Sequence, residues 1–313
     1  MKKGDMGKWM ELSVEVPDEA VESVREVMAQ FGVGGAVVEQ IIPEDEDLEL
    51  TPVKVTIKIY LPYNDQGLRK KQELEEALWH LGQILPLPVP SLRYVEEHQW
   101  LEAWKKFYPI LHIGSRLVVK PAWEDYIPQP GEVVVEMEPG VAFGTGLHPT
   151  TRLCLIALEE ILRPGDRVLD VGTGSGILAL FAAKLGAAHV VGIDVDEIAV
   201  KTARGNVVRN GLQDVVKVQW GSLIPVEGTP LLDVEDLGDF DIVLANITAP
   251  VIMEMASALA QTLAPEGHLV VSGIVNRQCA ATLQALEEAN LRLVEQRESG
   301  DWVTLIVKKL NAS

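Results

Sequence analysis

Cysteine is scarce in this chain of 313 residues: Cys154 and Cys279 are the two present, without a Cys-x-x-Cys pair or metal-ligand spacing to a histidine. That excludes a disulfide framework and a clustered-thiol metal site, and both thiols are expected to be buried, in a reducing cytosol, with no chemistry of their own. Membrane-length apolar runs are also missing. The longest are cut by Lys184 or by glycines, and Met1 to Met10 carries lysines but no apolar core of a signal peptide. A cytoplasmic protein, neither exported nor inserted, is the expectation. Basic residues are in deficit, 27 against 46 acidic ones, for a net charge of −19. Such a surface repels phosphate backbones, so no direct nucleic-acid binding is expected; a lysine-rich polypeptide suits it better, and the same surplus also serves plain solubility. There is no Gly-x-x-x-x-Gly-Lys-Ser/Thr run, no Ser-His-Asp order and no histidine pair at metal spacing. Nucleotide triphosphatase, hydrolase and metalloenzyme readings are therefore weak, and no metal is expected.

What is present is a strand that breaks into alternating glycines. Val168 to Val171 is an apolar run, Gly172, Gly174 and Gly176 follow, and Ile177 to Leu185 has helical composition ending at Gly186. Glycine takes positive φ without strain and lets a ligand touch the main chain, so Gly172, Gly174 and Gly176 are candidate cofactor contacts. Ile177 stands where a dinucleotide fingerprint needs its last glycine, which counts against NAD or FAD. A second apolar run, His189 to Ile193, ends in Asp194 and Asp196. A carboxylate at the tip of that strand, about twenty residues past the glycines, can accept both hydroxyls of a ribose, which is the role expected of Asp194. Asp196 is read as the cap of the helix it precedes.

An apolar content of 47% suffices for two buried cores. The first hundred or so residues repeat a strand-helix-strand pattern: Trp9 to Val16, Asp18 to about Phe31, Ala36 to Gln40, then Val53 to Tyr60, Arg69 to about Leu85, and Ser91 to Val95. This order implies a ferredoxin-like α+β domain over 1–96. The acidic run Pro43 to Glu49 inside it is read as a solvated loop or a grip on a basic partner. Residues 97–116 are expected to be a linker containing a helix, with Trp100, Trp104 and Phe107 at helical spacing packing it down. Over 117–313 strands and helices alternate, which predicts an α/β, doubly wound, mostly parallel sheet. Ligands of such sheets lie at the carboxyl ends of the strands, where Gly172, Asp194, Ser222 and Asn246 all fall.

A second glycine-rich loop, Glu138 to Gly146, leads through Leu147, His148 and Pro149 to Thr150 and Thr151. Thr150 or Thr151 is placed either to cap the following helix or to reach a ligand carboxylate, and His148 to act as a base or as a structural residue. After the fourth catalytic strand comes Asn246-Ile247-Thr248-Ala249-Pro250. A strand-tip amide can accept hydrogen bonds from an amine and orient its lone pair, which makes Asn246 the candidate catalytic residue; Pro250 is a helix start signal.

Together these motifs resemble the class I S-adenosylmethionine-dependent methyltransferases. The loop Pro139 to Gly146 with His148, Thr150 and Thr151, the motif Gly172 to Leu178, and Asn246-Ile247 with Ala249 are similar, more closely, to the bacterial ribosomal protein L-eleven methyltransferases. The resemblance covers essentially the whole chain. It implies a seven-stranded methyltransferase sheet, a small amino-terminal domain that recognises substrate, a flexible linker, and S-adenosyl-L-methionine as cofactor. By the same resemblance Thr151, Gly172, Asp194 and Asn246 contact the cofactor while Phe143, Gly144, Thr145 and Gly146 cover its methionine end; Ser222 is a further candidate contact. The implied substrate is a basic large-subunit ribosomal protein, methylated on lysine or terminal amines by a monomeric enzyme. Alternatives are a class I methyltransferase for another protein or a small molecule, and a non-catalytic cofactor-binding assembly factor. Three positions depart from the family's habit: Glu138 for Asp, Thr173 for Cys and Thr248 for Leu. The long acidic stretch Ser222 to Gly238 leaves open which group holds the adenine edge. The implied reaction is direct displacement by a neutral amine, without a covalent enzyme intermediate. A lysine ammonium with an ordinary pKa of roughly 10.4 must first lose its proton.

Overall fold

The computed structural model describes residues 8–17, 20–32, 36–40, 55–83, 87–96, 109–137 and 148–309. The chain divides into two compact units, Met1–Pro109 and Ile110–Ser313. The acidic run 43–49 and most of the expected linker, with Trp100, Trp104 and Phe107, lie outside the described residues.

In the smaller unit, β1 (Lys8–Val16), α1 (Val21–Ala29), β2 (Val37–Gln40), β3 (Val55–Pro62), α2 (Asp65–Gly82) and β4 (Ser91–Glu96) follow the expected order. The sheet runs β2-β3-β1-β4 with every pair antiparallel, the ferredoxin-like arrangement. Alternation decides which face closes: Met10, Leu12, Val14 and Val16 of β1 join Ile57, Ile59 and Leu61 of β3 beneath Val24, Met28, Leu74 and Leu78 of the helices. α2 starts four residues before the Arg69 expected from periodicity. Asn64 caps it by accepting from Gly67 N at 2.8 Å, an N-terminal signal that outranks the polar first turn.

The larger unit opens with a three-stranded sheet that the sequence reading missed: β5 (Leu111–Ile113), β6 (Leu117–Pro121) and β7 (Val133–Met137), in the order β5-β6-β7. β6 and β7 are parallel. β7 is tied to the rest of the unit by Asn210, whose side chain accepts from Glu136 N at 2.9 Å and donates to Glu136 O at 2.7 Å.

The main sheet follows: α3 (Pro149–Ile161), β8 (Arg167–Val171), α4 (Ile177–Lys184), β9 (His189–Asp194), α5 (Glu197–Arg209), β10 (Val216–Trp220), the short α6 (Val234–Leu237), β11 (Phe240–Asn246), α7 (Ala249–Thr262), β12 (Leu263–Val275), α8 (Cys279–Glu288), β13 (Leu291–Ser299) and β14 (Trp302–Lys309). Its seven strands lie in the order β10-β9-β8-β11-β12-β14-β13. β14 is antiparallel to both neighbours, while the pairs from β10 to β12 are parallel. β8 and β11 sit at the centre and read as near-continuous apolar runs because helices cover both faces. Phe181 and Phe240 are the largest of the fully buried side chains, each contributing about 2–3 kcal/mol of transfer free energy. Pro250 lies in the first turn of α7, as expected. Among the described residues no helix is long and apolar enough to cross a membrane.

Gly273, in β12, has φ of 83°, and a Cβ there would stand 2.1 Å from the Ile247 carbonyl oxygen. Gly131, at φ 90°, faces open space. Gly273→Ala is therefore expected to cost about 2–4 kcal/mol, whereas Gly131→Ala should cost only the roughly 1 kcal/mol of its left-handed backbone. Urea unfolding of the two variants side by side checks this, and equal costs would contradict it.

Candidate functional site

β8 stays buried up to Val171, and the chain then passes through Gly172, Gly174 and Gly176 at φ of 70°, 57° and 85°. Neighbouring strands hold this turn. Gly172 N and Thr173 N both donate to the Ile193 carbonyl at 2.9 and 3.0 Å, and Asn206 donates to Ser175 O at 2.9 Å. A Cβ at Gly172 would lie 2.4 Å from Ile247 Cγ2, and one at Gly176 would lie 3.2 Å from Ala203 Cβ. At these two positions the space is filled by the protein itself. Glycine is needed there for the left-handed path and for close packing, and any ligand contact falls to the backbone.

Asp194 ends β9 opposite that turn. Its Oδ2 accepts from Gly174 N at 2.8 Å and its Oδ1 from Asp196 N at 3.0 Å. A carboxylate offers about four acceptor positions, so these two donors leave capacity for a pair of hydroxyls. Asp196 caps α5 as expected, accepting from Ile198 N at 2.8 Å.

Asn246, at the tip of β11, donates from Nδ2 to the Thr151 hydroxyl at 3.3 Å, and Thr151 is fully buried. Its Oδ1 is buried and meets no donor among the described residues. A buried acceptor without a donor is costly, so this atom marks a place for one. Because Ile247 packs on Gly172, the Asn246 segment adjoins the glycine turn, and Thr151, Gly172, Gly174, Gly176, Asp194 and Asn246 fall into one cluster. Ser222 stands apart in use: its hydroxyl accepts from Ile224 N at 3.2 Å within its own loop. Phe143, Gly144 and Thr145 lie outside the described residues. The cap of α3 is neither Thr150 nor Thr151 but His148, whose ring accepts from Thr150 N at 3.3 Å.

The stretch 222–238 is a folded crossover: Ser222 bridges to Leu231, and α6 follows. With Gln261 of α7 it lines a cavity of about 820 Å³. None of the clustered residues lines it.

Comparison with known proteins bears on the same residues. The sequence profile of the family described as "Ribosomal protein L11 methyltransferase (PrmA)" matches residues 8–310. The chain belongs to the ribosomal protein L11 methyltransferase family. Curated relatives carrying that family's name include one from Chloroflexus aurantiacus, 44% identical over 96% of this chain and 98% of its own length. Another, from Pelotomaculum thermopropionicum, is 42% identical over 96% and 99%. Among solved structures, the ribosomal protein L11 methylase from Lactobacillus delbrueckii subsp. bulgaricus is similar with a TM-score of 0.57 and 32% identity, covering 65% of this chain and 100% of that one. As a member of the L11 methyltransferase family the chain is an enzyme, a methyltransferase.

One residue of the site escaped the sequence reading. Asp170 is buried just before the glycine turn, and its Oδ2 accepts from the Thr173 hydroxyl at 2.7 Å and from Ala179 N at 3.3 Å. Its Oδ1 has no donor among the described residues. Burial pushes this carboxyl up to about 7; the Thr173 and Ala179 hydrogen bonds oppose the rise, and the charge of Asp194 adds to it. A lone acid inside an apolar strand, directly ahead of the glycines, was the signal available. The unfolded chain ionises this group in the ordinary carboxyl range, so between about pH 4 and 7 the folded state binds more protons and loses stability as pH rises. Asp170→Asn should therefore gain thermal stability relative to the parent as pH is raised through that window, by a few kcal/mol in total. Melting curves across the range check it; a pH-independent difference would count against the buried acid.

Proposed function

We propose that this chain transfers methyl groups from S-adenosylmethionine to lysine or terminal amines of ribosomal protein L11. The observation that carries the reading is a family match that runs through both units, from residue 8 to residue 310. The fit of the clustered residues to the donor supports it, because the orphaned Asn246 Oδ1 and the spare capacity of the Asp194 carboxylate each await a polar partner.

When bound, S-adenosylmethionine supplies an electrophilic methyl group on a sulfonium. The protein's task is then to place an uncharged amine and manage its proton. Asp194 would accept the ribose hydroxyls, the backbone of Gly172 to Gly176 would hold the sugar and amino-acid portions, and Thr151 and Asn246 would hold the reacting end. Asn246 Oδ1 accepts one N–H of the amine, which turns the nitrogen lone pair toward the methyl group. Desolvation of the incoming ammonium lowers its pKa and favours the neutral form.

The smaller unit recognises the protein substrate. It has its own core, and it presents Trp79 and Tyr94 to solvent at 61% and 56% exposure, side chains suited to a protein contact. The net charge of −19 favours a basic partner over free nucleic acid.

Asp194→Ala should weaken S-adenosylhomocysteine binding by about 30-fold or more, since it removes a charged acceptor of two hydroxyls. Calorimetry reads this, and an unchanged affinity rejects the assignment. Asn246→Ala should reduce turnover about a hundredfold, at least as much as it reduces cofactor affinity. Transfer of radiolabelled methyl to purified ribosomal proteins tests the function itself: label confined to L11 is the expected result, and tight cofactor binding without label would make the protein a non-catalytic binder.

A further inference from the structure

His148 opens the helix that carries Thr151, and the mechanism leaves it without a task. Its position is well determined on two sides. Nδ1 accepts from Thr150 N at 3.3 Å and lies 2.7 Å from the Thr150 hydroxyl, while the His148 carbonyl receives Arg152 N at 3.2 Å, an early bond of α3. The ring meets Trp302 of β14 edge-on, with centroids 4.8 Å apart. Pro149 separates the two threonines from the histidine and fixes φ at the helix start. Thr150 and Thr151 are both buried, and Thr151 receives the Asn246 amide.

We infer that His148 is a positioning residue for Asn246: by capping the first turn of α3 it places the Thr151 hydroxyl, which anchors the amide nitrogen and leaves Oδ1 facing the amine. The inference rests on the role given to Asn246 under Proposed function. An imidazole whose Nδ1 accepts a backbone N–H carries its proton on Nε2, so Nδ1 is not available to take a proton from substrate. A second proton on Nδ1 would turn the acceptor into a donor pointed at Thr150 N–H, and the cap would be lost. Burial holds the ring's pKa below the ordinary histidine value, which keeps it neutral near pH 7. The ring packs against Thr150 of α3 and Trp302 of β14. The acceptor is thus present at neutral pH and disappears as pH falls through the folded-state value.

The test uses the full chain with purified L11. His148→Ala should lower kcat about tenfold and leave KM for L11 within about twofold, because the effect is on placement at the reacting end. His148→Asn supplies a non-titrating acceptor suited to a helix N-terminus, and it should restore kcat to within about threefold of the parent. The rate of His148→Asn divided by that of the parent should rise as pH falls through the folded-state value of the ring, since ionisation of the substrate amine cancels in the ratio. A parent-like kcat for His148→Ala, or equal losses in the Ala and Asn variants, would each overturn the inference. Asn246→Ala measured in the same assay separates the two levels: if it turns over at the parent rate, the proposed function of Asn246 fails. If it is slow while His148→Ala is not, only the positioning role fails.

Discussion

The larger unit depends on one constraint of its sheet. From β8 the chain steps outward to β9 and β10, then returns to the centre and steps to the other side through β11 and β12. The crossovers after β8 and β11 leave in opposite directions, so the loops at those two strand ends part and a crevice opens between them. Packing has no means of closing it. The glycine turn, Asp194 and Asn246 come together because each ends a parallel strand on the same edge, and α3 reaches that edge through the hydrogen bond between Thr151 and Asn246. Chemistry at the crevice is thus a product of strand order, with the side chains chosen afterwards.

Signals confined to a short stretch of chain were legible in the sequence. The alternation of Met10, Leu12 and Val14 reports a half-buried strand, and the spacing of Asp194 from the glycines reports that it ends β9 opposite their turn. What escaped notice depends on partners far along the chain or on local competition. β6 and β7 pair in parallel across an intervening loop, and each is too short to announce itself. Thr150 and Thr151 are the better N-cap residues by type, yet His148 takes the position because Pro149 sets the first turn one residue later. Asp170 was legible as an acid in a strand, but its raised pKa comes from burial that only the assembled sheet creates. The glycines were read correctly as left-handed, and two of them for an incomplete reason, since Ile247 and Ala203 occupy the space their side chains would need.

The smaller unit closes its core between its own two helices and its four-stranded sheet. An arrangement of this kind separates two demands on sequence. Exposed positions of the smaller unit can change without opening its core, whereas Gly172 and Gly273 cannot, because a Cβ at either meets another part of the chain within 2.4 Å.

The hydroxyl of Thr173 has one more consequence. At this turn the chain carries an alcohol, which donates to the Asp170 carboxyl at 2.7 Å and is a stronger donor than a thiol. The two cysteines it does have are elsewhere: Cys154 is fully buried with its thiol pushed up to about 12, whereas Cys279, also expected to be buried, is partly exposed at the start of α8. The turn from Gly172 to Gly176 therefore carries no sulfur for an oxidant to attack.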